Sequence, residues 1–328
     1  MTVGMLTVAL STGLVALAVL GPALLRHAAP ALVRVPRLAI VVVAGGIGVW
    51  LVTLLAIGPL LAWAGSGPVL LPERAAEVCQ RCLSAANPFS ADTTDDALVP
   101  AVLLLALPVA LALALGAGLA RQMIRRRSRS RDAAGALLHS AWRQLLHGHE
   151  VSLVDAEDPF ALTFPARHGG VVLSTGAVRA LAEDELAAVL AHEHAHLHHR
   201  HHLISALVEA IAAYLRWVPL IRAAADALPH YLEIAADDQA RREAGTPALV
   251  SALVKLGERT QPAMPQHSCP LALHAAGPER IRHLVRPSAG LAGAVPAVAI
   301  AAYLVGMAAL AAAVHLPYVF AALTGCAA

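Results

Sequence analysis

Long apolar stretches alternate with two kinds of polar segment along this chain. Val3 to Leu25, Leu38 to Ala64 and Leu98 to Ala120 are almost wholly apolar, and about 20 such residues suffice for a helix across the hydrocarbon core of a bilayer. A fourth stretch runs from about Leu291 to His315. Between the third and fourth lies a long region of mixed polarity, the pattern of a folded domain. Within it, Val151 to Val154, Phe160 to Phe164 and Val171 to Leu173 are short runs rich in β-branched and aromatic residues, separated by Asp158-Pro159 and Gly169-Gly170, as strands joined by turns would be. Leu181 to His202 then reads as a long helix, with Glu183, Asp184 and Glu185 at its start, where the helix dipole favours acids. The expected fold is a multi-pass α-helical membrane protein with four transmembrane helices and an inserted α+β domain. Residues 1–120 hold three spans (about 3–25, 38–64 and 98–120) and an external loop 65–97. Residues 121–290 form the inserted domain, and 291–328 the fourth span and a short tail.

Leu203 to Ile221 is apolar enough to suggest a fifth span, but Glu209 and Arg216 interrupt it and Pro219 closes it. The segment is read as a buried or interfacial helix, in preference to a re-entrant hairpin.

Composition agrees with the pattern. Of the 328 residues, 58% are hydrophobic and 14% charged, and mean hydropathy is +0.65; soluble domains carry about 25% charged residues. The net charge of +2 indicates no nucleic-acid surface. The arginines are unevenly placed. Arg26, Arg34 and Arg37 link the first two spans, and Arg121, Arg125, Arg126, Arg127, Arg129 and Arg131 follow the third, whereas the 65–97 loop is acidic. Because positive charge stays on the cytoplasmic side, the N-terminus and the loop are expected outside and 121–290 inside. Met1 to Leu10 holds no Lys or Arg, the reverse of a signal peptide's layout, so the first stretch is read as a retained span. The same topology puts Cys79, Cys82 and Cys326 on the oxidising side, where one of the first two can pair with Cys326, and leaves Cys269 reduced.

His192-Glu193-His194-Ala195-His196 carries the candidate chemistry. On a helix, positions i and i+4 share a face, so His192 and His196 can present two ring nitrogens to one metal ion. Glu193 is rotated by about 100°, beside the metal and able to take a proton from a bound water. Seven histidines crowd into 192–202, and such tracts can also be weak metal binders. His194, His198, His199, His201 and His202 are assigned no role and are expected at the surface or an interface. A catalytic zinc needs a third protein ligand. Glu233-Ile234-Ala235-Ala236-Asp237 offers one, with the other acid free to orient a histidine. Helix-face pairing of Asp237 with Arg241 and of Asp238 with Arg242 is the competing explanation, though it leaves Glu233 unexplained among apolar neighbours.

From about His149 to Leu284 the sequence resembles the M56 and M48 membrane metallopeptidases, the group of BlaR-type antibiotic-sensor proteases, HtpX and Ste24-type CAAX proteases. The resemblance rests on Val171-Val172-Leu173-Ser174-Thr175-Gly176, on Leu190-Ala191-His192-Glu193-His194-Ala195-His196, and on Glu233 to Asp237, which is similar to the family's ExxxD element. Three spans before the site and one after it look most like M56. The resemblance implies a gluzincin-like zinc endopeptidase domain holding one Zn2+ per chain through His192, His196 and Glu233. It further implies Glu193 as base, Asp237 behind a ligand, and an edge strand at Phe160 to Phe164 that pairs with a protein or peptide substrate. His274 to Ile281 partly matches an M48 element, without the prolines after the histidine. On it Arg280 would stabilise an oxyanion or brace Asp237, and a basic helix face with Arg282, His283 and Arg286 explains the residues equally well. BlaR-type receptors carry a sensor domain after the last span. Here about a dozen residues follow His315, so sensing is expected to use the loop, the spans, or a separate sensor or repressor partner. The competing function is a non-enzymatic metal-binding signalling protein in the lipid bilayer, which would need the histidines but not Glu193.

Overall fold

A computed structural model describes residues 3–66, 73–87, 95–96, 100–259, 284 and 292–324. His274, Arg280, Cys269 and Cys326 lie outside the described residues. The described residues form ten α-helices: α1 (Val3–Leu32), α2 (Pro36–Ala64), α3 (Glu73–Ala86), α4 (Ala101–Leu138), α5 (Thr175–Ala180), α6 (Glu183–His198), α7 (His201–Leu215), α8 (Pro219–Ala244), α9 (Thr246–Arg259) and α10 (Ala294–Leu323). Four of them, α1, α2, α4 and α10, are long and apolar enough to cross a membrane. They correspond to the four predicted spans, but α4 runs on past residue 120 to Leu138, carrying its arginines on a continuous helix.

In a bilayer, polar groups are stabilised by partners inside the protein, and three aromatic side chains of the spans find them. The Trp50 indole donates to the Leu14 carbonyl (3.2 Å), Tyr303 to Gly13 (2.7 Å) and Tyr318 to Pro59 (3.0 Å), tying α1, α2 and α10 together. On α4, Leu103, Leu107, Leu111 and Leu113 are exposed, as a lipid-facing surface requires. Outside the spans, Cys82 of α3 is disulfide-bonded and Cys79 carries a free thiol.

A short β1–β2 pair (Gly65–Ser66 with Asp95–Asp96) lies between α2 and α4. The working sheet has four strands: β3 (Trp142–Leu146), β4 (His149–Val154), β5 (Ala161–Thr163) and β6 (Val171–Ser174), in the order β3-β4-β6-β5. The last three match the expected strands. β3 was not foreseen, because its side chains are largely exposed and lack an apolar face. It joins β4 through His147-Gly148, both at positive φ (48° and 81°), the conformation that two-residue hairpin turns demand. β5 is an edge strand antiparallel to β6. Phe164 N–H donates to Gly170 O (2.9 Å) and Ser174 N–H to Phe160 O (3.1 Å). By the alternation of antiparallel ladders, the backbone groups of Ala161 and Thr163 face the free edge.

The segment 203–221 is not one continuous helix. It divides between α7, a short apolar helix with one buried face, and the start of α8, and the two helices pack as a hairpin. α7 lies along α4, where Tyr214 packs on Gly118, and α8 enters beside α1, where Leu220 packs on Gly21. Both glycines belong to the apolar spans, so the turn around Trp217 reaches beside their ends before α8 returns. Leu220, Ile221, Leu228 and Leu232 join one apolar core with Leu17, Ile40 and Ile47. The charges that interrupt the segment are paired: Glu209 with Arg126 of α4 (2.5 Å) and Arg216 with Asp226.

Candidate metal centre

Two helices build the site, and alanines let them approach. Ala188 and Ala191 of α6 and Ala240 of α8 are buried in one cluster with Leu249 and Leu253 of α9. Such small side chains bring backbones close enough for acids on α8 to reach histidines on α6. The start of α6 is pinned separately. Glu185 accepts the Ala182 backbone N–H (2.7 Å) and is bound by Ser251 (2.5 Å) and Lys255 (2.6 Å) of α9. Burial pushes the Glu185 carboxyl up, but these hydrogen bonds outweigh it and lower its pKa to about 2.

One turn apart on α6, His192 and His196 are both buried, and their Nε2 atoms lie 3.2 Å apart. Glu233 of α8 completes the group: its carboxylate oxygens are 3.5 Å from His192 Nε2 and 3.4 Å from His196 Nε2. Among the described residues, this is the one group of three or more His, Cys, Asp and Glu side chains placed to share a metal ion. The spacing fits zinc. Tetrahedral bonds of about 2.0–2.1 Å give ligand–ligand edges of roughly 3.3 Å, and two imidazoles with a carboxylate are a donor set zinc prefers.

The outer nitrogens of both histidines are held as well. His192 Nδ1 lies 3.0 Å from Asp237 Oδ1, and both residues are buried. The carboxylate can only accept, so this ion-pair contact favours the tautomer with its proton on Nδ1. Burial drives the His192 pKa down, but Asp237 and then Glu233 overcome it and raise it to about 10. The helix-face pairing of Asp237 with Arg241 does not form: Arg241 binds Asp238 (3.0 Å) and Arg242 binds Gln239 (3.3 Å). Behind His196, its Nδ1 meets His201 Nδ1 at 3.0 Å. Here the expectation of surface placement fails, for His201 is 2% exposed. Arg200 at positive φ (52°) breaks the helix after α6 and turns His201 back toward the site. Burial, then the neighbouring His196 and His199, push the His201 pKa down to about 3. A neutral His201 can accept from His196 Nδ1–H, and in that tautomer the His196 Nε2 lone pair is directed at the site. No spacing rule separates His201 from its six neighbours in the tract; only the chain reversal at Arg200 does.

Glu193 is buried beside the histidines (1% exposed). Thr163 of the edge strand donates its hydroxyl to the Glu193 carboxylate, and lies within 3.3 Å of the Glu193 carbonyl. Thr163, a second residue that the sequence did not single out, thus joins the free sheet edge to the motif helix. The other histidines are peripheral: His194 and His198 are exposed, His199 and His202 half-buried.

Residues 136–235 match the profile of Peptidase family M48. A "Protease HtpX homolog" from Thermodesulfovibrio yellowstonii (strain ATCC 51303 / DSM 11347 / YP87) is 38% identical over 71 residues, 21% of this chain. The chain spans about a quarter of that relative's length (25%). No solved structure matches. The profile and the relative support an M48-type membrane metallopeptidase, and lend nothing to the M56 side of the resemblance.

Proposed function

We propose that the chain is a membrane-embedded zinc endopeptidase that cleaves cytoplasmic or membrane-proximal protein substrates. The observation that carries this reading is the buried Glu193, held by Thr163 of an edge strand, beside three donors that converge at zinc spacing. A protein that merely stores or senses metal has no use for that carboxylate or for its tether to a strand.

His192, His196 and Glu233 would hold the ion, which when bound supplies a polarising charge and a water acidified to a pKa of about 7. Asp237 and His201 keep the two imidazoles turned toward it, the outer contacts that set ligand orientation in such sites. Glu193 takes the proton of the attacking water and passes it to the leaving amine, the work of a general base and acid. The free backbone groups of Ala161 and Thr163 offer an extended peptide a strand to pair with, which lays its scissile carbonyl along α6. On the partial resemblance to an M48 element alone, Arg280 would stabilise an oxyanion or brace Asp237.

The site stands on the same side as the arginine-rich ends of α1, α2 and α4, through the contacts Arg37–His199 and Arg126–Glu209. The positive-inside rule assigns that side to the cytoplasm. Both regulated cleavage of a repressor and quality control of membrane proteins fit this placement.

The test compares wild type and Glu193→Gln, purified in detergent, for zinc content and for cleavage of casein or of the chain itself. One zinc in each and cleavage by wild type alone, abolished by a chelator and restored by zinc, is the expected result. Equal cleavage by both would sink the mechanism. Stoichiometric zinc with cleavage by neither would favour the metal-binding signalling protein.

A further inference from the structure

A cavity of about 540 Å³ opens between the α1–α2 turn and α8. Arg34, Arg37 and Arg242 line it, with Val35 and Leu38 at its rim and Asp238 in its wall. The Asp238 carboxylate is already matched by Arg241 at 3.0 Å, so Arg37 and Arg242 alone give the lining a net positive charge. Val35 and Leu38 are 47% and 51% exposed, which places bare apolar surface beside guanidinium groups. The level is that of the bilayer boundary, because the apolar stretch of α2 begins at Leu38, one residue after Arg37.

We infer that this cavity is a binding site for the phosphate headgroup of an anionic membrane lipid. Guanidinium forks match phosphate oxygens, and basic residues at the membrane edge recruit anionic lipid, each raising affinity about fivefold. Val35 and Leu38 receive the first methylenes of the acyl chains. Those two side chains favour a lipid over a free anion, which has no apolar part to place against them. The site adjoins the metal centre: Ala235 in its wall lies between Glu233 and Asp237, and Arg37 donates to His199 Nε2 (3.1 Å) just past the motif helix. A bound headgroup therefore touches α8, which carries Glu233, and reaches the end of α6 only through the Arg37–His199 contact. The inference concerns binding and stands whether or not the chain is a peptidase.

The test places the full chain in nanodiscs of phosphatidylcholine and phosphatidylglycerol and counts the lipids it retains by native mass spectrometry. Wild type should retain phosphatidylglycerol in preference. Arg37→Gln and Arg242→Gln should each lower that preference about fivefold, and the pair about twenty-fivefold. The pair Arg127→Gln and Arg129→Gln, on the exposed extension of α4, should leave it unchanged. Leu38→Glu keeps the arginines and sets a negative charge at the exposed rim; it should also lose the lipid, and so serves if the arginine pair fails to fold. An equal loss in the α4 pair would reduce the effect to a general basic collar and overturn the site. So would a wild type without preference, or retained lipid displaced by inorganic phosphate at equal concentration.

Discussion

At the scale of single residues, orientation matters more than identity. His192 and His196 could turn either nitrogen toward a metal, and Asp237 and His201 decide which. His201→Ala should lower zinc affinity about 10–100-fold, the usual effect of losing such a support, while His201→Asn, whose amide oxygen can accept from His196, should recover part of it. Competition against a chromophoric zinc chelator measures both, and equal affinity in all three proteins would remove His201 from this role. Glu193→Gln should keep its zinc and lower kcat about a hundredfold or more, as loss of a general base does. Single-turnover peptide cleavage reads that directly.

Elements set what the residues can reach. β5 presents Ala161 N–H outward, where a proline is tolerated because no ladder bond is lost. Ala161→Pro should leave the thermal midpoint nearly unchanged and raise KM for an extended peptide about tenfold, the worth of one hydrogen bond. A proportional fall in kcat at constant KM would count against strand pairing. α6 depends on Glu185, whose carboxyl falls from its ordinary 4.5 to about 2. A lowered carboxyl pKa gives stability that is present above pH 4.5 and lost as pH falls toward 2. Thermal midpoints recorded through that window should drop for wild type and drop less for Lys255→Met, which removes one source of the shift. Parallel curves would deny Glu185 its part.

The whole molecule is held by close approaches that only glycine permits. A Cβ on Gly58 of α2 would lie 2.3 Å from the Leu104 carbonyl oxygen of α4. Gly58→Val should force these spans apart and destabilise the bundle by about 1–3 kcal/mol, seen as a lower midpoint in detergent with zinc content intact below it. Where the bundle sits follows from its arginines. With the free Cys79 replaced by serine, cysteines introduced at exposed Arg129 and Arg143 should be labelled by membrane-impermeant maleimide only after the cell is opened, and labelling of intact cells would invert the topology.

Much of this was legible in the chain because its signals are local. Apolar runs of bilayer length, the i,i+4 histidines and the alternation of strands report what a segment does by itself, so the four span helices, three of the strands and the convergence of His192, His196 and Glu233 could be read before any fold was known. What the tertiary structure decided depends on partners far away in sequence. The 203–221 segment is apolar enough to cross a membrane, yet Arg126 and Asp226 neutralise its charges and α8 brings the chain back, so it folds as a hairpin. Thr163 is an ordinary strand residue until packing sets it against Glu193. His201 is one histidine in a tract of seven until a left-handed turn at Arg200 buries it behind His196. A local pattern states which groups a segment can offer; only the fold determines what those groups meet.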